Sequence, residues 1–238
     1  MISRGNGEAV YLQVRRQLES EIRAKHKPND VLPSEVVLAE RFGVNRHTLR
    51  RAVDGLVADG WVERRHGHGS FVLGEPINYK ISQRTRFTEN FAALGKKTES
   101  IVIRKIRIDA NGGIAKQLAL DAGEPVIWIE TLRCVEQQPF CVISHYLPAN
   151  LVPGLMYDYQ GGSLHHFLEH NYGLRLQRSE SLISSSLPQG DDARYLCMPA
   201  HSPILRVKSV NLIEDSSTPL EYTITRFRAD NMQLRITT

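Results

Sequence analysis

Asn45-Arg46-His47-Thr48-Leu49-Arg50-Arg51 sets three guanidiniums, an imidazole, a hydroxyl and a carboxamide in one short stretch, with no acid until Asp54. A guanidinium is a planar fork that meets two acceptors at once; on the guanine edge of a DNA major groove, one good pair discriminates by ~1–3 kcal/mol. The stretch also opens a helix. Asn45 is a capping residue type, and Leu49, Val53, Leu56 and Val57 recur at helical spacing to about Asp59. When a helix enters the major groove, its first turn reaches the base edges, and Asn45, Arg46, His47 and Thr48 stand there. Arg50 and Arg51, a turn later, are placed for backbone phosphates, which fix position without reading sequence.

The flanking residues supply what such a helix needs. Pro33 and the N-cap type Ser34 introduce a preceding helix with Leu38, Ala39 and Phe42 on one face; Gly43 ends it and Val44 plugs the turn. After the second helix, Trp61-Val62-Glu63-Arg64-Arg65 and Ser70-Phe71-Val72-Leu73 are strand-like, joined by His66-Gly67-His68-Gly69. A glycine-rich tip lets backbone approach a groove closely, with Arg64, Arg65, His66 and Gly67 beside it. A first helix from about Glu8 to Lys25 carries Val10, Val14, Leu18 and Ile22 as its stripe. Helix, turn, helix and basic hairpin together predict a winged helix-turn-helix.

A second chemistry lies further on. Gly161-Gly162-Ser163 opens a predicted helix and offers unobstructed amides, a hydroxyl and the positive end of the helix dipole to an anion; Arg133, on a predicted strand, can complete a charge-assisted clamp. The capping role alone is the plainer reading of Ser163, and a surface or interface charge that of Arg133. Around these residues the chain is β-rich: Thr98 to Ile108, Pro125 to Val135, Phe140 to Leu147, Leu174 to Leu187, Ile204 to Ile213 and Leu220 to Phe227. Helical pieces are predicted at Phe87 to Leu94, Gly113 to Leu120, Ser163 to Asn171 and Gly190 to Met198. The expected class is α+β, an antiparallel sheet with helices packed on it. The domains expected are 1–74 for the winged unit, 75–83 as linker and 84–238 for the sheet unit.

Composition agrees. The 238 residues suit two modest domains, and the net charge of +4 suits a nucleic-acid partner chiefly because the basic residues cluster in the second helix and wing. No apolar run approaches the ~20 residues a bilayer requires, and no signal-peptide pattern is present, so no membrane partner and a cytoplasmic site are expected. Cys134, Cys141 and Cys197 are too few and too scattered for a disulfide framework or a zinc site; no metal or cofactor is called for.

Through LPSE, LAERFGVNRHTLRRA and the hairpin spacing R-x-G-x-G-S-F-V, the first unit resembles the DNA-binding domain of the GntR family of bacterial transcription regulators. The resemblance implies operator contacts from Arg46, His47, Thr48, Arg50, His66 and Gly67. Two positions depart from the family pattern: Asn45 replaces the usual Ser or Thr, and His26-Lys27-Pro28-Asn29-Asp30 lacks the Gly usual before a Pro-Gly-Asp turn. The second unit, through RFTENFAALG, IWIETLRCVEQQPFCVISHYLP, GSLHHFLEHNYGL and TPLEYTITRFRAD, resembles the effector domain of the HutC branch, of chorismate-lyase-like (UTRA) fold. This implies a phosphate-bearing effector held by Thr88, Arg133 and Ser163. The branch's Arg-x-Arg is Thr131-Leu132-Arg133 here, so the polar end of the pocket falls to Ser144 or His145, Glu221 and Arg228, with Glu221 pairing either with the ligand or with Arg228. The overall resemblance is closest to regulators of phosphonate-utilisation operons.

The resulting expectation is a homodimeric regulator, a repressor, on palindromic double-stranded operator DNA, controlled by a small anion: phosphonate, phosphate or a phosphorylated metabolite. The alternatives are a HutC-type regulator of another pathway, an enzyme using Ser163 with His165 or His166, and an architectural DNA-binding protein. The pair His166 and His170 lacks a third metal ligand at motif spacing.

Overall fold

Helix formation in the first unit follows from apolar spacing, reinforced by side-chain caps at the starts of its second and third helices. The computed structural model describes residues 7–28, 30–65, 67–73, 77–82, 87–230 and 232–236. The chain divides into Met1–Ile77 and Asn78–Thr238. In the first unit α1 (Val10–Lys25), α2 (Glu35–Phe42) and α3 (Arg46–Ala58) bury Val14, Leu18, Ile22, Leu38, Leu49, Val53 and Leu56 in one core. Ser34 Oγ accepts the Val37 N–H at 3.4 Å, and Asn45 Oδ1 accepts that of Thr48 at 2.7 Å. Between them Gly43 turns the chain at φ 63°, a conformation that costs little without a Cβ. Val44 and Val57 pack on the core half-buried.

The wing pairs β1 (Val62–Arg65) with β2 (Gly69–Val72), from Val62↔Val72 to Arg65↔Gly69. A third segment adds to it that the sequence did not announce. The Leu32 N–H donates to Ser70 O and the Val72 N–H to Asp30 O, both at 2.8 Å, with Val31 bridged to Phe71. Its partners lie some forty residues away and it carries no alternation of its own, so local pattern could not reveal it.

In the second unit β4 (Thr98–Asp109), β5 (Pro125–Val135), β6 (Gln138–Pro148), β7 (Leu176–Ser186), β8 (Ile204–Ile213) and β9 (Pro219–Arg228) form an antiparallel sheet, numbering β3 (Ile77–Ile81) earlier in the chain. The order β4-β5-β6-β9-β8-β7 makes two three-stranded meanders joined by one pairing, β6 with β9, in which His145 faces Thr223. The α5 (Gly112–Leu118) helix, following α4 (Phe87–Ala92), packs on one face over Val126 and Tyr222. On the other, α6 (Leu155–Asp158) and α7 (Leu164–Tyr172) bury Leu155, Tyr159, Leu164 and Leu168 against Ile127, Ile129 and Leu147. The expected helix at Gly190 to Met198 shortens to α8 (Asp192–Tyr195).

The stretch expected as a linker, 75–83, is in part structured. β3 pairs with β10 (Met232–Ile236), and Tyr79 is buried against Phe87, Phe91 and Phe227 with ring centroids 5.4–6.1 Å apart. Alternating Ile77, Tyr79 and Ile81 carried that signal. Residues 74–76 and 83–86 lie outside the described residues.

Candidate DNA-binding and effector sites

On α3, Arg46 and His47 are exposed beside the capped first turn. Asn45 carries that cap, so its side-chain oxygen is already engaged. Glu35, at the start of α2, gathers two of the residues expected to contact DNA: Arg50 Nε at 3.2 Å and Arg64 Nη2 at 2.9 Å. Arg64 also pairs with Asp54. These pairs are solvent-exposed and therefore weak, ~0–1 kcal/mol each, so they orient the guanidiniums without locking them away from a phosphate. Arg51 instead lies 3.9 Å above the Tyr11 ring on α1, a cation–π contact that ties two helices together. Gly67 is exposed at the wing tip with φ 74°. His66 and the Arg65 side chain lie outside the described residues.

In the second unit Thr88, Arg133, His145 and Ser163 line one pocket of about 60 Å³, on the sheet face covered by α7. Arg133 is 4% exposed; its Nη1 donates to Gly162 O at 2.8 Å while its buried Nε has no partner. Ser163 Oγ caps α7, accepting the His166 N–H at 3.3 Å. The preceding turn needs glycine: Gly161 has φ 139°, and a Cβ there would stand 3.2 Å from Ser100 O. Tyr159 Oη donates to Gly162 O at 2.9 Å and fixes the same turn.

A buried polar cluster underlies this pocket. The Glu221 carboxylate, fully enclosed, meets His145 Nδ1 at 2.6 Å, His165 Nε2 at 2.8 Å and the Asn211 amide. Burial alone would raise the Glu221 carboxyl, but His165 and His145 beside it hold it well below the usual carboxylate range. Burial also dominates at His145 and pushes its imidazole below the ordinary value despite the Glu221 contact.

Two expected effector residues stand elsewhere. Ser144 points to the opposite face, bonded to Glu130 at 2.9 Å and Arg226 at 3.0 Å, because neighbouring strand residues alternate faces. Between the two residues offered, His145 is the one in the pocket. Arg228 is bound to Asp230 at 2.7 Å and to Cys197 O at 3.4 Å, and Glu221 pairs with histidines rather than with it. Pocket residues not foreseen as effector ligands include Arg178 on β7, His165 and Asn211. Arg178 matters most, because its guanidinium joins Arg133 where the sequence had one arginine too few. Its Nη1 donates to Ser82 O at 3.3 Å and its buried Nε has no partner. The alternation of β7 could have flagged it; nothing local said which face it would share.

The enzyme alternative, with Ser163 paired to His165 or His166, does not match this geometry: Ser163 Oγ caps α7 by accepting the His166 N–H, and His165 is engaged by Glu221. Among the described residues no group of three or more His, Cys, Asp or Glu could hold a metal.

Comparison with known families decides the class. Residues 10–72 match the profile "Bacterial regulatory proteins, gntR family", and residues 93–233 match the UTRA domain. The chain belongs to the GntR family, in its HutC-type branch. This regulator is 38% identical to the probable transcriptional regulator PhnF of Escherichia coli K12, over 94% of its own length and 92% of that protein's. It is 29% identical to the mannosyl-D-glycerate transport/metabolism system repressor MngR of the same organism, over 95% of both. The crystal structure of PhnF from Mycobacterium smegmatis superposes with a TM-score of 0.66 at 26% identity, covering 94% of this chain and 98% of that one. These relatives are transcriptional regulators, and the chain is a DNA-binding regulator rather than an enzyme.

Proposed function

We propose that this regulator represses its target genes as a homodimer on a palindromic operator, and that a small phosphorus-bearing anion in the Arg133 pocket releases it. The observation that carries the effector reading is the convergence of Arg133 and Arg178, each with a buried Nε lacking a partner, at a cavity opened by the α7 N-terminus. Guanidinium forks and helix-start amides suit a tetrahedral oxyanion, and a partnerless buried nitrogen gains most from an acceptor. Thr88 and Ser163 supply hydroxyls at the rim, and His145 and His165 a polar floor. The small volume favours phosphate or a short alkylphosphonate over a sugar phosphate.

In this reading residues to 74 form the DNA-binding domain, with Arg46, His47 and Thr48 reading bases, and Arg50, Arg64, Arg65, His66 and Gly67 holding phosphates. Residues 84–238 bind effector and dimerise, and the chain works in the cytoplasm. Similarity to PhnF supports the phosphonate assignment, and the repressor named among the relatives supports the sign of control. Effector binding then shifts the population that fits the operator.

The test is fluorescence anisotropy on DNA upstream of the regulator's own gene, with phosphate, alkylphosphonates and sugar phosphates added in turn. Tight, salt-sensitive binding relieved by one phosphorus compound is expected. Binding that ignores all of them would sink the effector assignment while leaving the DNA assignment standing.

A further inference from the structure

The sheet carries a second, larger cleft on the face opposite the Arg133 pocket. About 330 Å³ in volume, it is bounded by Trp128 and Tyr146 from the sheet and by the segment running from Ser186 into α8. Because β5 alternates, Trp128 and Glu130 point away from Ile129, Thr131 and Arg133, so the sheet itself separates the two cavities.

Charge in this cleft is unevenly matched. Arg226 is ion-paired with Glu130 at 2.7 Å and Asp192 at 2.8 Å and donates to Ser144 Oγ at 3.0 Å. Asp191 is taken by Arg194 at 3.3 Å. Arg206 is the direct cross-strand partner of Arg226, a like-charged juxtaposition that destabilises a sheet, and its buried Nε has no hydrogen-bond partner. Arg104 stacks 4.6 Å over the Trp128 ring and also lines the cleft. Thus two guanidiniums face the cleft with its carboxylates already engaged.

The wall beside them is aromatic. Trp128 and Tyr146 stack at 5.8 Å with planes 23° apart, and Tyr146 continues the stack onto Tyr222 at 5.9 Å. The Trp128 indole N–H is buried without a partner, and Leu187, 57% exposed, forms part of the rim. An inorganic anion would satisfy Arg206 but make no use of this aromatic wall, whose Trp128 ring Arg104 now covers.

We propose that the opposite-face cleft is a second ligand site, which takes a small planar organic carboxylate: the carboxylate draws Arg104 off the Trp128 ring to join Arg206, and the flat body takes the place over Trp128 that Arg104 now holds. It does not depend on the phosphorus-anion reading, since no residue lines both cavities.

The test uses the full-length protein with benzoate as the probe. Trp61 and Trp128 are the two tryptophans, so W61F leaves Trp128 as the reporter. Saturable quenching by benzoate is expected, weakened about tenfold or more by R206Q and not by R133A. Calorimetric titration of the unsubstituted chain, R206Q and R133A gives the same comparison if W61F folds poorly. Heat or quenching that rises linearly without saturation, or equal affinity in R206Q, would overturn the site. Loss of benzoate binding in R133A would move the ligand to the other pocket and overturn it too, while quenching by phosphate equal to that by benzoate would refute the planar-carboxylate class.

Discussion

Glu221 and its two histidines show how one buried carboxylate imposes a pH dependence. Because burial depresses the His145 imidazole, the unfolded chain binds that proton more readily than the folded one. Stability is therefore expected to fall as pH drops below about 6.5, His145's ordinary value, and to fall again below about 4.5, where Glu221 of the unfolded chain takes up a proton that the depressed folded carboxylate does not. Thermal unfolding from pH 8 to 4 should show both losses, and H145Q should flatten the first; a melting temperature constant from pH 7.5 to 5.5 would contradict it. Arg133→Ala and Arg178→Ala are each expected to leave operator affinity intact and to weaken the response to a phosphorus effector at least about tenfold. Gly161→Ala should do likewise, because its Cβ would press on Ser100 O in a strained backbone. At this scale the sequence was legible where a motif sat at a helix start or a strand centre, as at Ser163 and Arg133. It left Ser144 and His145 as alternatives, one residue apart and therefore on opposite faces of a strand, and it could not see Arg178, which only the completed sheet brings beside Arg133.

Elements are expected to divide the DNA-binding task. Arg46, on the open first turn of α3, should specify: Arg46→Ala is expected to cost ~1–3 kcal/mol on the operator and to flatten base preference. Arg50→Ala should weaken all sequences alike and lower the salt slope by ~1 unit. Anisotropy at several salt concentrations, on operator and random DNA, separates the two, and identical behaviour of both variants would overturn the division. Arg51→Ala should act through stability, since its guanidinium rests on Tyr11. Replacing Asn45 by alanine removes the α3 cap and should cost ~1 kcal/mol of unfolding free energy in denaturant titrations. Caps, stops and periodic stripes made all three helices readable from sequence. The strand-like segment at Asp30 to Leu32 was not, because its hydrogen bonds depend on a wing that forms some forty residues later.

At the scale of the whole molecule, a dimer is expected to be the operator-binding species, so light scattering should give twice the 26.9 kDa chain mass. A monomer that still protects a full palindrome would refute it. The two-unit organisation was visible in sequence, but the strand at Ile77–Ile81 within the expected linker was not given its partner, β10, which lies at the far end of the chain. The same long-range wiring governs the large sheet. Its meanders meet only through β6 and β9, where Cys141 pairs with Phe227, so the sheet can close only once almost the entire chain exists. During synthesis the winged unit leaves the ribosome before the second unit and, as a separate unit, can fold long before that closure. A messenger broken or a stop codon placed between Ile213 and Pro219 would then release a chain whose DNA-reading helix is whole, while Glu221 and the strand that carries it are missing. Such fragments would be deaf to the signal.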